Sequence, residues 1–463
     1  MIDTTSNIPD RTWLKGRRLV ILGLGASGQS VARFFSYDGL VGADDDPARR
    51  PVEIPPFDGT FKPDDVLVLS PGIARDHPAP HPLVAKALKD KIEIISDIDI
   101  LARNHRDLCY IGVTGTNGKS TVTSMLSHIL THANKPHYCG GNIGTPVLDF
   151  TFSPEKKLCV LEVSSFQLET ISHVDWDIGV LLNIAPDHQD RYADMQAYAH
   201  AKMRLLNHSR HCVIVCEDPY TRQAATALGA GADLIIHADD PDPPDHPGAV
   251  ITVQGSVITG TDRKEDTKKH WTIDVGGNPI LRVPHQVINA ATAVTVARRL
   301  GCDTPAITDG LNSYEGLAHR MAYCGRSGRV TFINDSKATN IHATIRALDS
   351  YENIYWIAGG RLKEKDLSPL RAHLGKVRGV YLIGEGSGRL FQAISDLVPC
   401  QQARQLRDAV GSAYADASKH GGVVLLSPVG ASFDQFDNYQ ARGQAFADVA
   451  GFLGAQDSKR MRS

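Results

Sequence analysis

The chain has 463 residues, a length for about three domains at roughly 150 residues each. Its 49 Lys+Arg against 52 Asp+Glu leave a formal net charge of -3, so no basic field holds a nucleic-acid backbone and a general DNA or RNA binder is disfavoured. A hydrophobic content of 42% excludes a disordered chain, and no apolar run approaches the ~18 residues that a membrane-spanning helix needs. The opening MIDTTSNIPD has no basic segment followed by an apolar core, so no signal peptide is expected. The cysteines are scattered, and the Cys212-x3-Cys216 pair lacks a second pair at zinc spacing. Reduced, buried thiols in a cytoplasmic protein are the expectation.

Short apolar runs alternate with helical patterns, which predicts parallel sheets wrapped by helices in three blocks. The first block opens with a strand at 18–23, a Gly-rich turn and a helix from about Ser27, and closes near a strand at 91–96. The second opens with a strand at 109–115 and a helix after Gly118, then continues through strands at 158–163, 177–184 and 211–216. HADDPDPPDHPG (237–248) has four prolines and reads as an exposed loop. The alternation in AVITVQGSVITG after it predicts an antiparallel hairpin added to the middle block. The third block starts near 317, with strands around 329–334, 353–359, 379–384 and 422–427. The terminal DSKRMRS is expected to fray.

The strongest local signal is Gly115-Thr116-Asn117-Gly118-Lys119-Ser120-Thr121, after a strand and at a helix start. Glycines let backbone N–H groups turn around phosphate oxygens, and the helix dipole and Lys119 favour the anion. Ser120 or Thr121 can offer a hydroxyl to Mg²⁺. The strict G-x-x-x-x-G-K-[ST] form needs glycine at 113, where this chain has Val113, so the loop is a variant. Glu162 closes an apolar strand, at the edge where α/β sheets bind ligands, and suits a hard cation. Asp187-His188 also follows a strand; taken alone it is equally a polar surface pair. Lys202 lies on the apolar stripe of a helix over 194–208, with Tyr198, Leu205 and Leu206. Such a lysine snorkels, pairs with an anion or is chemically altered. At the N-terminus Gly23-Leu24-Gly25-Ala26-Ser27-Gly28 forms G-x-G-x-x-G, with Asp44, Asp45 or Asp46 about 20 residues on. That turn fits a dinucleotide, and equally the diphosphate of a UDP-linked sugar.

Taken together the chain resembles the Mur ligase family, in its D-glutamate-adding branch. The resemblance spans all three blocks. It rests on 115–121, on LEVSSFQLE (161–169), DHQDRY (187–192), NDSKATN (334–340), and on LSP (426–428) with ASFD (431–434). It implies an α/β, three-domain architecture. A Rossmann-like N-terminal domain (1–97) takes the UDP-sugar. A central P-loop ATPase-type domain (98–316) with a small β addition takes ATP. A Rossmann-like C-terminal domain (317–463) takes the amino acid. The implied reaction is the ATP-dependent addition of D-glutamate to UDP-N-acetylmuramoyl-L-alanine. It runs through an acyl phosphate, releases ADP and phosphate, and is a cytoplasmic step of peptidoglycan precursor synthesis tied to cell shape and division. ATP and Mg²⁺ are the implied cofactors, small molecules the only partners, and a monomer without membrane insertion the expected form.

Residue by residue, the resemblance makes Lys119, Glu162, His188 and Lys202 catalytic. Glu162, His188 and Lys202 as a carbamate join Ser120 and Thr121 around Mg²⁺. Asn289, Arg320 and Asp335 join 115–121 around ATP. Gln286 stands where the family usually has Asn. Ala26, Ser27, Ser70, Pro71, Gly72 and Asn142 fall to the UDP-sugar. Lys337, Thr339, Lys363, Ser432, Phe433 and Tyr439 fall to D-glutamate. Three rivals remain: a folylpolyglutamate synthase-like ligase, an NAD-dependent oxidoreductase using the N-terminal turn, and a non-catalytic nucleotide switch.

Overall fold

A computed structural model describes residues 12–455 apart from 37, 77, 189–190 and 265–266. The terminal polar tail lies outside the described residues. The chain divides into two compact units, Met1–Tyr314 and Glu315–Ser463.

The first unit holds two sheets. One contains β1 (Leu19–Leu22), β2 (Leu40–Ala43), β3 (Val66–Leu69) and β4 (Glu93–Ile95), all parallel in the order β2-β1-β3-β4. β1 and β3 are buried along their whole length, as expected of unbroken Leu/Val/Ile runs covered on both faces. The other sheet has nine strands: β5 (Cys109–Thr114), β6 (His137–Gly141), β7 (Leu158–Glu162), β8 (Trp176–Leu181), β9 (Ser209–Val215), β10 (Ala232–His237), β11 (Val250–Gln254), β12 (Val257–Lys264) and β13 (Thr267–Asp274). Their order is β13-β12-β11-β10-β9-β8-β5-β7-β6. The strands from β6 to β11 run parallel; β11, β12 and β13 form antiparallel pairs that extend the edge, so the expected hairpin is present and continues the main sheet. One hydrophobic core joins both sheets: Leu19, Ile21 and Val31 pack in the same cluster as Leu161, Trp176 and Leu205. This shared core is why two sheets make one compact unit.

The second unit has β14 (Ala322–Ser327), β15 (Val330–Asn334), β16 (Ile354–Gly359), β17 (Val377–Ile383), β18 (Cys400–Arg404) and β19 (Gly422–Val429), ordered β14-β15-β19-β16-β17-β18. Only β14 is antiparallel. Trp356, at the centre of β16, is fully buried and donates its indole N–H to the Ser427 carbonyl at 2.7 Å.

Each sheet reverses its strand order beside one strand: β1, β5, and β19 between β15 and β16. Such switch points leave a crevice at the carboxyl ends of the strands, and the Gly-rich N-terminal turn and the phosphate loop each follow a strand at one.

All eight cysteines are free. Among the described residues no helix is long and apolar enough to cross a membrane. Removing the Trp356 side chain should cost about 3–5 kcal/mol, because the core closes only partly around the cavity. In calorimetry of Trp356→Ala, the transition of the C-terminal unit should fall while that of the N-terminal unit stays. Equal displacement of both transitions would contradict this packing.

Candidate active site

The phosphate loop follows β5, and the helix Lys119–His132 starts directly behind it. Gly118 has φ +89, and no side chain caps the helix. Its first N–H groups therefore point into the loop, the arrangement that binds an anion. A Cβ on Gly118 would lie 2.7 Å from Asn289 Oδ1, and one on Gly115 2.9 Å from Leu182 Cβ. Glycine is thus required at both positions by packing as well as by φ. Val113, which departs from the strict loop pattern, lies inside β5 and is wholly buried.

Neighbouring strands hold the loop. After β8, Asn183 Oδ1 accepts from Asn117 N at 2.9 Å and its Nδ2 donates to Asn117 O at 3.0 Å. Thr116 Oγ1 accepts from Ala185 N at 3.0 Å and lies 3.2 Å from the Tyr198 hydroxyl. Asn183 was not among the residues singled out from sequence. Its only signal there was a polar residue closing an apolar strand. On the other flank, at the end of β7, Glu162 is buried. Its Oε2 accepts from the Ser120 hydroxyl and its Oε1 from Asn142 Nδ2 at 2.8 Å. Of the two candidate hydroxyls, Ser120 is therefore the one engaged with the carboxylate. Asn142, read as a UDP-sugar contact, sits against the same carboxylate. The set Ser120–Glu162–Asn142 offers oxygen donors, which suit Mg²⁺. No cluster of three His, Cys, Asp or Glu side chains fit for a metal occurs among the described residues. A cation here would complete its shell from phosphates and water, as Mg²⁺ commonly does.

Lys202 does not snorkel. It is 1% exposed on the helix Met195–Asn207, beside buried Tyr198, Leu205 and Leu206. Its Nζ donates to the Gly115 carbonyl at 2.9 Å and lies 4.5 Å from the Tyr198 ring centre. Lys119 Nζ donates to the same carbonyl at 2.8 Å. Burial, and then the charge of Lys119, push the Lys202 amine well below the ordinary lysine range; Asp187 and Glu162 pull the other way. His188 has φ +53, and its ring packs 4.8 Å from that of Phe166. Ser164 and Gln167 of the same motif form a capping box on the helix Ser165–Thr170. Asn289 and Gln286 are both buried on the helix Pro284–Arg299, where Asn289 donates to the Gln286 side chain at 3.2 Å.

The N-terminal turn lines a cavity of about 490 Å³, and Ala26, Ser27, Asp44, Asp45, Asp46, Ser70, Pro71 and Gly72 surround it. Asp44 accepts from Leu24 N at 2.5 Å and from Asp46 N at 2.8 Å, so its carboxylate braces the turn. Ser70 Oγ donates to Gly23 O at 2.6 Å.

In the second unit, Asp335 is buried after β15 and accepts from Met321 N at 3.2 Å and from the Ser427 hydroxyl at 3.1 Å. Lys337 Nζ lies 4.0 Å from the Tyr439 ring centre. The loop after β16 pairs with the loop after β19 through reciprocal Arg361–Ala431 backbone bonds of 2.8 and 2.9 Å. This joins the segment bearing exposed Lys363 to the one bearing buried Ser432 and Phe433, which is 66% exposed. Arg442, missed in the sequence, is buried beneath them and donates to Ser336 O at 2.8 Å and Gly430 O at 3.1 Å. Thr339 is half-buried, and Arg320 stands close enough for its charge to favour ionised Asp335.

Fold and site together define a phosphate-loop protein, with the loop at the switch point of its nine-stranded sheet. The Mur ligase middle domain matches residues 113–297 and the Mur ligase glutamate ligase domain residues 319–430. The UDP-N-acetylmuramoylalanine–D-glutamate ligase of Rhizobium meliloti (strain 1021) is 37% identical over 454 residues, covering 94% of this chain and 96% of the relative. A pseudomurein peptide ligase from Methanothermus fervidus shares the fold at 14% identity, with a TM-score of 0.57 over 94% of this chain and 100% of that one. The UDP-N-acetylmuramate-alanine ligase of Thermotoga maritima does so at 15% identity, with a TM-score of 0.55 over 94% and 99%. The chain belongs to the Mur ligase family and is a ligase.

Burial raises Asp335 to about 7, above its unfolded value near 4. Its stabilising contribution is therefore complete below pH 4 and is lost as pH rises through about 7. Hydrogen exchange in β15 and β19 should show a stability loss on the order of 2–4 kcal/mol between pH 4 and pH 8. In Asp335→Asn that slope should be flat; an unchanged slope would refute the assignment.

Proposed function

We propose that the chain joins D-glutamate to UDP-N-acetylmuramoyl-L-alanine at the expense of ATP, with Mg²⁺ as cofactor, in the cytoplasm and as a monomer. The reading rests on the meeting of Lys119, Lys202 and the Ser120–Glu162 pair around one phosphate loop. It is supported by relatives of that name at 34–37% identity over nearly the whole chain. The proposed division of labour assigns 1–97 to the UDP-sugar, 98–316 to ATP and 317–463 to the amino acid.

In this mechanism the backbone of 115–118 and the uncapped helix end receive the phosphates, and Lys119 offsets their charge. Asn289 backs the loop, while Arg320 and Asp335 take the nucleoside side. Ser120 or Thr121, Glu162, His188 and carbamylated Lys202 would hold Mg²⁺, which would supply Lewis-acid neutralisation of the phosphates. The alanyl carboxylate oxygen attacks the γ-phosphorus and ADP leaves. The amine of D-glutamate attacks the acyl carbon, phosphate departs, and the amine gives up its proton. The acyl phosphate is needed because a bare carboxylate has no good leaving group. Lys337, Thr339, Lys363, Ser432, Phe433 and Tyr439 orient the amino acid, and Ala26, Ser27, Ser70, Pro71, Gly72 and Asn142 the UDP-sugar.

Burial of Lys202 supports its carbamylation. Only an unprotonated amine adds to CO2, and the surroundings of Lys202 hold its pKa down. The product is a carboxylate-like oxygen ligand where an ammonium would repel the cation. Lys202→Ala should lose at least about 99% of activity, a transition-state loss of roughly 2.7 kcal/mol or more, and short carboxylates should restore part of it. Carbon-13 NMR after ¹³C-bicarbonate should show one carbamate carbon in the native enzyme and none in the variant. Full activity in the alanine variant would end the proposal.

The substrate assignment is tested by phosphate release from ATP with UDP-N-acetylmuramoyl-L-alanine and each glutamate enantiomer. Release should require the D form. Stimulation by a folate acceptor with L-glutamate instead would move the chain to the folylpolyglutamate branch.

A further inference from the structure

We infer that Arg191 is a positioning residue that couples the UDP-sugar pocket to the His188 loop, so that occupancy of one strengthens binding at the other. The inference rests on the proposed function for the identity of both ligands.

The backbone of Arg191 closes the turn that carries His188. Arg191 N donates to the His188 carbonyl at 2.9 Å, and Tyr192 N to the same oxygen at 3.1 Å. His188 itself is held at φ +53, a conformation that a non-glycine residue keeps only when its surroundings enforce it. The guanidinium of Arg191 reaches a different sheet: Nη2 donates to the Ile73 carbonyl at 2.9 Å. Ile73 closes the turn after β3, through its own N–H to Ser70 O at 3.0 Å, and lines the N-terminal cavity with Ser70 and Gly72. One side chain therefore spans from the His188 turn to the wall of the UDP-sugar pocket.

Its surroundings make this span stiff. The guanidinium carbon lies 4.6 Å from the Phe166 ring centre, and the same ring packs against His188. Glu169 Oε2 stands 3.6 Å from Arg191 Nη2, with the two side chains 11% and 12% exposed. Arg75, two residues beyond Ile73, donates to the Glu169 carbonyl, so the pocket turn is anchored to the same helix from its other side. A planar fork can bond a carbonyl, face a carboxylate and stack on a ring at once; an ammonium cannot. A ligand that shifts the Ser70–Gly72 turn must move the Ile73 carbonyl, and with it the turn that presents His188. Coupling of this kind is reciprocal.

The test is isothermal titration of the full chain with UDP-N-acetylmuramoyl-L-alanine, with and without Mg²⁺ and a non-hydrolysable ATP analogue. In the wild type the analogue should tighten the UDP-substrate about fivefold or more. In Arg191→Met and Arg191→Lys each ligand alone should bind within about threefold of wild type, while the mutual tightening disappears. Retained coupling in both variants, or no coupling in the wild type, would overturn the inference. So would a collapse of both affinities together with the melting temperature, which would make Arg191 a plain stability residue. A wild type that binds neither ligand would instead overturn the proposed function.

Discussion

Two lysine side-chain nitrogens donating to one buried carbonyl is the constraint on which the site depends. Lys119 and Lys202 both reach Gly115 O, at 2.8 and 2.9 Å. Like charges this close, in a place where water screens poorly, cannot both stay cationic without cost. The site can relieve this by receiving anions, by leaving one amine neutral, or by converting one amine into an anion. Each of these bears on the same chemistry: polyphosphate binding, CO2 addition, and a hard-cation ligand set with Glu162. The oddity of a lysine on an apolar stripe and the glycine-rich loop are thus two views of one electrostatic problem.

The second recurring element is topological. A parallel sheet that reverses its strand order leaves a gap where loops from adjacent strands diverge. This chain uses the rule three times. After β1 and β3 it presents the Gly-rich turn and Ser70. After β5, β7 and β8 it presents the phosphate loop, Glu162 and Asn183. After β15, β16 and β19 it presents Asp335, the Gly359–Lys363 segment and Ser432. Stability and function are separated along each strand. The apolar body packs the core, and the last residue or two at the carboxyl end carries the chemistry.

Much of this was legible without coordinates. The phosphate loop, Glu162 and the helix bearing Lys202 stand out because strands buried on both faces read as unbroken apolar runs, and a polar residue ending one is conspicuous. The edge strands β6 and β18 were not legible: HYCGG and CQQAR lack the apolar run, since an edge strand is covered on fewer sides. Arg442, Arg191 and Asn183 were also hidden as contributors, because their partners are backbone carbonyls and amides far away in sequence. A residue's type says what it can donate, not which carbonyl will be in reach.

The sequence by itself determined the alternation of strands and helices, the glycines that permit the phosphate loop, and the family to which the chain belongs. These depend on local spacing and on backbone freedom, which are properties of neighbours along the chain. Only the tertiary structure decided that Ser120 rather than Thr121 faces Glu162, that Asp44 braces the Gly-rich turn through Leu24 N, and that Lys202 is sealed from solvent. Those outcomes turn on desolvation and on hydrogen-bond geometry between segments many residues apart, and neither exists until the sheets have packed.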